Sequence, residues 1–188
     1  MPRPREFDPD EALDAAMRVF WAKGFAETSY DDLVLGTGVS RKSLYSVFGD
    51  KHMLFIAALQ RYRAKIVPDL FRALDAENIS AEGIRAMLRN FVILADTPRG
   101  AIGCFMARTS ADVAIQMDDV RSIIDRHWDD LHKRFFNALL RSGYRRDRAD
   151  ELAYFFVGVM QGFLALAHAR AGRERMEPFI EEALKALD

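Results

Sequence analysis

Two short helical segments joined by a glycine-bearing turn constrain this 188-residue chain more than any other feature. Thr28-Ser29 followed by Tyr30-Asp31-Asp32 reads as the start of one segment, with acids placed where the helix dipole favours them. Leu33 and Val34 give it an inner face, and Gly36-Thr37-Gly38 breaks it. Ser40 caps a second segment running from about Arg41 to Val47, with Leu44 and Phe48 turned inward. Neither segment can bury a core alone. A support is present upstream: Leu13, Ala16, Met17, Phe20 and Trp21 recur at helical spacing. Asp8-Pro9 opens that first helix, and Lys23-Gly24 closes it. Three helices in this order, with a glycine free to adopt left-handed backbone at the turn, predict a helix-turn-helix module.

The remainder also reads as helix. Gly49-Asp50 starts a long fourth helix marked by Leu54, Ala57, Ala58, Ile66, Leu70 and Phe71, which Pro68 is expected to kink. Five more follow, over about 81–95, 104–113, 118–141, 148–171 and 175–187, with Thr97-Pro98-Arg99-Gly100 as one connector. No stretch alternates with period two, so the expected fold is all-α, with about nine helices.

The second short segment has an outer surface of one chemical kind. Ser40, Arg41, Lys42, Ser43, Tyr45 and Ser46 are small, basic or hydroxyl-bearing, with no acid among them. A helix entering the major groove of double-stranded DNA needs this set: short hydroxyls allow close approach, and Arg41 or Lys42 can reach base edges or phosphates. Thr28, Ser29 and Tyr30 open the preceding helix, where hydroxyls and free backbone N–H groups can hold a phosphate. Lys51 is placed to neutralise another. The charge is local rather than general. The chain carries a net charge of −1, and its first 51 residues hold seven Lys or Arg against nine Asp or Glu.

At these residues the sequence resembles the TetR family of transcriptional regulators. The resemblance rests on Phe20, Gly24-Phe25, Thr28-Ser29, Asp32-Leu33, Thr37-Gly38-Val39-Ser40-Arg41, Ser43-Leu44-Tyr45 and Phe48-Gly49-Asp50-Lys51. Upstream, Phe7-Asp8, Asp10, Ala12-Leu13 and Ala15-Ala16-Met17 resemble that family's first helix. Gly36 departs from the pattern, because helix formers are usual there. The resemblance implies a helix-turn-helix DNA-binding domain over residues 1–50 and an effector-binding and dimerisation domain over 51–188. It implies a homodimer, most often a repressor, that a small-molecule effector releases from a palindromic operator. By matching position, Arg41, Lys42, Ser43 and Tyr45 would face DNA, with Ser29, Tyr30 and Lys51 on phosphates.

Beyond about residue 75 no motif is comparably specific. Helix 148–171 is apolar around most of its circumference, which suits a helix buried both in its own subunit and against a partner. Phe155, Val159, Gly162, Phe163 and Leu166, with Phe179 from the last helix, are the expected dimer contacts. An effector pocket is expected between the fourth and eighth helices, for a small hydrophobic or amphipathic molecule. Its candidate linings are Phe71, Phe91, Leu94, Cys104, Phe105, Met106, His127, Trp128, Phe135, Phe156 and Met160; the plainer reading of most is ordinary core packing.

Other classes find little support. Half of the residues are hydrophobic and 29% charged, a globular composition. The longest apolar run, Leu152 to Ala167, includes Gln161 and falls short of the about 20 residues a membrane span needs. No apolar stretch follows the N-terminal Met1-Pro2-Arg3-Pro4-Arg5, so no secretory signal is read there, and a cytoplasmic location is expected. Cys104 is the single cysteine: a small hydrophobe beside apolar neighbours, or a redox or electrophile sensor if a helix start lowered its pKa. His127 and His132 share no helical face and have no carboxylate at ligand spacing between them, so no metal or other cofactor is expected. The enzyme signatures HExxH, GxSxG and GxGxxG are absent. Gly38 to Ser43 lacks the second glycine and preceding strand of a phosphate-binding loop. A helical module working through a protein partner is the alternative to a regulator, and a helical-bundle enzyme a more distant one.

Overall fold

The computed structural model describes residues 7–97 and 100–188. Arg3, Arg5, Pro98 and Arg99, which entered the charge count and the connector above, lie outside the described residues. Within them the chain is built from α-helices and short 3₁₀ turns, without a strand. The helices are α1 (Pro9–Lys23), α2 (Tyr30–Thr37), α3 (Arg41–Phe48), α4 (Lys51–Lys65), α5 (Val67–Leu70), α6 (Ala81–Ala95), α7 (Phe105–Ser110), α8 (Asp118–Arg141), α9 (Arg146–His168) and α10 (Arg173–Leu184).

The extra helix comes from Pro68. Proline has no N–H to give and crowds the carbonyl four residues back. The long fourth helix therefore stops at Lys65, and α5 restarts with Pro68 in its first turn. Taken as one kinked rod, α4 and α5 restore the expected nine. The sixth expected helix is also shorter than read. It ends at Ser110, because Asp112 turns the chain and caps a 3₁₀ turn at Val113–Gln116 through the N–H of Ala114.

The head forms as its caps dictate. Asp8 accepts the N–H of Asp10 at the start of α1, Ser40 that of Ser43 at the start of α3, and Asp50 that of Met53 at the start of α4. Helix α2 carries a full capping box between Ser29 and Asp32. The two glycines of the turn do different things. Gly38 sits at φ 69° in left-handed backbone and ends α2. Gly36 does not break α2, as the sequence suggested, but lies inside it. A Cβ there would come within 2.3 Å of Val19 Cγ2, so glycine is what lets α2 close onto α1.

One continuous core runs from head to body. Its spine is aromatic. Phe20 meets Phe55 edge-on at 5.1 Å, Phe55 meets Phe105 at 5.8 Å, Phe105 meets Tyr62 at 5.7 Å, and Tyr62 meets Trp21 at 5.0 Å. Thus α4 serves both parts: Phe55 meets Phe20 of the head and Phe105 of the body, and Tyr62 meets Trp21 of the head and the same Phe105. Arg61 reinforces the seam from outside, pairing with Asp14 at 2.7 Å and Asp10 at 2.8 Å across from α1. In the body, α8 and α9 pack along each other, and α6 and α10 close one side, joined by a two-pronged Arg89–Glu181 pair. Helix α9 is long and apolar enough to cross a membrane by composition. Its buried residues, from Ala149 through Phe163 to Ala167, instead fill the body's interior as a core helix does.

Candidate nucleic-acid interface

Helix α3 fully buries one large side chain, Leu44, and packs Phe48 against the core beside it. Arg41, Lys42 and Ser46 are exposed, and Ser43 and Tyr45 are half-buried. The exposed set includes no acid. Arg41 is held in place before any ligand arrives. Its guanidinium lies 3.9 Å from the centre of the Tyr30 ring and donates to the Tyr45 hydroxyl at 3.4 Å, while the two rings sit 5.2 Å apart. The hydrogen bond to Tyr45 pushes the Arg41 pKa further up, and the same neighbour, with burial, raises that of the Tyr30 phenol. The result is a permanently charged, aromatic-backed fork at the start of α3 (a cation stacked on rings keeps its remaining N–H groups for a partner).

The serines divide by role. Ser40 Oγ caps α3 and bonds Ser43 Oγ at 2.9 Å, so its first task is to start the helix. Ser46 Oγ donates to the Ser43 carbonyl at 2.8 Å and stays at the surface. At the start of α2 the expectation needs correcting. Thr28 is 1% exposed, and its hydroxyl donates to the Gly24 carbonyl at 2.5 Å, so it closes the α1–α2 connection and is out of reach of a phosphate. Ser29 is exposed, but its N–H and hydroxyl both go to Asp32 Oδ2, at 2.9 and 2.8 Å. The Lys23 ammonium, 2.5 Å from Asp32, and those Ser29 bonds hold the Asp32 carboxyl down to about 2. Much of the anion-binding capacity of this helix start is therefore spent on the chain's own carboxylate. Lys51 rests 4.5 Å from the centre of the Phe25 ring, and partial burial lowers its pKa.

Two sequence comparisons fall on this architecture. The profile of bacterial regulatory proteins of the tetR family matches residues 12–58, which spans α1 to the middle of α4. That of LmrA/YxaF-like transcriptional regulator C-terminal domains matches residues 80–182, more than half of the chain. The chain belongs to the TetR family.

Among curated relatives of this TetR-family chain, the HTH-type transcriptional repressor ComR of Escherichia coli K12 is 31% identical over 185 residues, covering 93% of this chain and 86% of ComR. The uncharacterized HTH-type transcriptional regulator YezE of Bacillus subtilis 168 is 25% identical over 194 residues and the full length of both. Among solved structures, a cysteine mutant of the TetR family transcriptional regulator CifR, complexed with a 26 bp double-strand operator DNA, superposes with a TM-score of 0.86. It shares 30% identity and covers 98% of this chain and 99% of that one. This TetR-family chain is thus a transcriptional regulator and not an enzyme.

The body of the TetR-family chain holds a cavity of about 250 Å³. Of the expected linings, Phe91, Leu94 and Cys104 face it, and Phe71 backs Phe91 at 5.4 Å between ring centres. Phe105, Met106, Phe135, Phe156 and Met160 do not: each is fully buried and packed on protein, so the plainer reading holds for them. His127 lies apart, in a cleft between α4 and α8 beside Arg63 and Arg134, with Trp128 against its ring. Burial pushes the His127 pKa down to about 4. Trp21 and Tyr62, absent from the expected list, form part of the cavity wall. Their apolar spacing reads as core, and nothing local in the sequence separates a core ring from one that borders a void. Cys104 is enclosed, and burial raises its thiol pKa, which is the environment of an inert thiol rather than of a thiolate sensor.

The expected dimer contacts also divide. Phe155 and Phe179 are partly exposed, and the Phe179 ring lies over Gly162. Leu166 is half-buried. Val159 and Phe163 are corrections: they point into their own subunit, and Phe163, 1% exposed, borders the cavity. Tyr154, 66% exposed, replaces them on the outer stripe, where Gly158 has open space around it.

Proposed function

We propose that this chain is a cytoplasmic, homodimeric repressor that places α3 in the major groove of a palindromic operator and is released by a small-molecule effector. The observation that carries the reading is the acid-free exposed face of α3, with Arg41 fixed on Tyr30 and Tyr45 and Lys42 beside it. Base edges in the major groove offer acceptors in the pattern an arginine fork fits, and phosphates flank them. The operator complex of CifR and the likeness to the transcriptional repressor ComR support the same reading.

The proposed palindromic operator calls for a dimer. Two recognition helices read half-sites spaced by about 34 Å or multiples of it only if something couples them. The apolar stripe of Tyr154, Phe155 and Gly158 on α9, continued by Phe179 on α10, is a self-complementary candidate for that contact. The cavity lies beside α4, the helix shared by head and body, so an occupant that shifts α4 moves the head. Enrichment of bound sequences from random duplex DNA tests the reading: a two-fold palindrome is the expected product. A folded protein that enriches nothing, in the presence or absence of cell extract metabolites, contradicts it.

A further inference from the structure

We infer that the cavity takes a compact, uncharged, ring-bearing molecule, and that Trp21, a residue of head helix α1, reads its presence directly. The inference rests on the effector-released reading above and names its ligand class and its reader.

The ligand class follows from the walls. Four rings border the space, those of Trp21, Tyr62, Phe91 and Phe163. Flat apolar faces favour a flat apolar guest, which they contact by stacking or edge-on. A dry apolar cavity of roughly 150 Å³ accommodates benzene, so 250 Å³ leaves room for a fused pair of rings. Asp69 is the one charged residue among the lining residues described, and it stands at the mouth, mostly exposed and paired with Arg72. An anion drawn inside would lose its hydration without gaining a counter-charge, and a cation would meet only a carboxylate that Arg72 already pairs.

The reader follows from connectivity. The indole N–H of Trp21 donates to the carbonyl of Gly103 at 3.0 Å. Gly103 belongs to the loop that enters α7, and both it and Trp21 border the cavity. This bond joins the head to the wall of the cavity with no intervening side chain. Two residues before Trp21, Val19 lies against Gly36, so α1 and α2 are locked together at that point. A guest that presses on the Trp21 ring therefore pushes α1, and α1 carries α2 and α3 with it.

The test uses the 188-residue chain with Trp128→Phe and 5-fluorotryptophan, which leaves Trp21 as the only ¹⁹F reporter. Three probes of one frame are compared: indole, tryptamine as the cation and indole-3-acetate as the anion. The expected result is a saturable shift of the Trp21 resonance with indole and at least 10-fold weaker binding of both charged probes. Equal binding of a charged probe, or no shift with indole up to its solubility, overturns the ligand class. Trp21→Phe keeps a ring but removes the N–H. In that variant calorimetry sets the indole concentration that saturates the cavity, and at saturation the loss of affinity for the enriched operator duplex should be at least 10-fold smaller than in wild type. Undiminished release overturns the role of Trp21 and leaves effector release standing. Wild-type protein saturated with indole yet unchanged on the operator contradicts effector release itself.

Discussion

Arg41 stacks on Tyr30 with 3.9 Å between the guanidinium carbon and the ring centre, so α3 presents a positioned cation. Pre-ordering a long side chain removes part of the entropy cost of using it. An exposed cation–π contact contributes about 0.5–1 kcal/mol. Tyr30→Leu should weaken operator binding by that order, and Arg41→Ala by about 1–3 kcal/mol if the fork meets a base. Both variants should stay folded, because Arg41 is exposed and leucine keeps an apolar group where the half-buried Tyr30 ring flanks the core. Fluorescence anisotropy with the enriched operator measures the first, and thermal melting the second.

Gly36 makes a sharper stability prediction. An alanine Cβ at this position would press into Val19 Cγ2 at 2.3 Å. Helix propensity alone would favour alanine by up to about 1 kcal/mol. Overpacking of this kind costs about 1–3 kcal/mol, so the net effect of Gly36→Ala should be destabilising. Chemical denaturation should also show that Val19→Ala restores most of the loss in the double variant. Stabilisation by Gly36→Ala alone would mean that the α1–α2 contact is looser than described.

Asp14 ties the head to α4 in a pH-dependent way. The Arg61 hydrogen bond, helped by Lys65, holds its pKa down to about 2, from an ordinary 3.8. A carboxyl whose folded pKa is lowered stabilises fully above its unfolded pKa and loses that contribution as pH falls through its folded value. The window is therefore about pH 4 down to pH 2. Asp32, held low by Lys23 and Ser29, adds to the same window. Melting temperature should fall across it less steeply in Asp14→Asn than in wild type, with the two slopes alike between pH 5 and 7.

The exposed stripe on α9 predicts two different failures. Phe155→Glu should give a folded monomer with much weaker operator binding, seen by light scattering and circular dichroism together. Phe163→Glu should instead unfold the body, because a buried carboxylate there would have no partner. A folded dimer in the Phe155→Glu variant would place the interface elsewhere.

How much of this was legible beforehand depends on how local each signal is. The head was readable almost residue by residue, because caps, turn glycines and apolar spacing act within a few positions: Ser29, Ser40, Asp50 and Gly38 do what their types dictate. Gly36 reads as a breaker from its neighbours, but its reason is Val19, on another helix. Thr28 was misassigned because a hydroxyl at a helix start serves a phosphate or the backbone equally well, and the Gly24 carbonyl settles which. In the body, sequence distinguishes apolar from polar but not which apolar ring borders a void. Phe105, Met106, Phe135, Phe156 and Met160 were therefore grouped with Phe91 and Leu94, and Trp21 and Tyr62 were missed. Val159 and Phe163 share α9 with the outer stripe, and on a helix apolar nearly all round only packing tells inside from outside.

The central claim is that α3 reads base sequence through Arg41 and Lys42, and the most direct measurement is the random-duplex enrichment performed side by side on wild type, Arg41→Ala and Lys42→Ala. The account predicts a palindrome for wild type and, in at least one variant, loss of preference at symmetric positions of the two half-sites with the remainder unchanged. An identical palindrome, recovered with undiminished affinity from both variants, would contradict it.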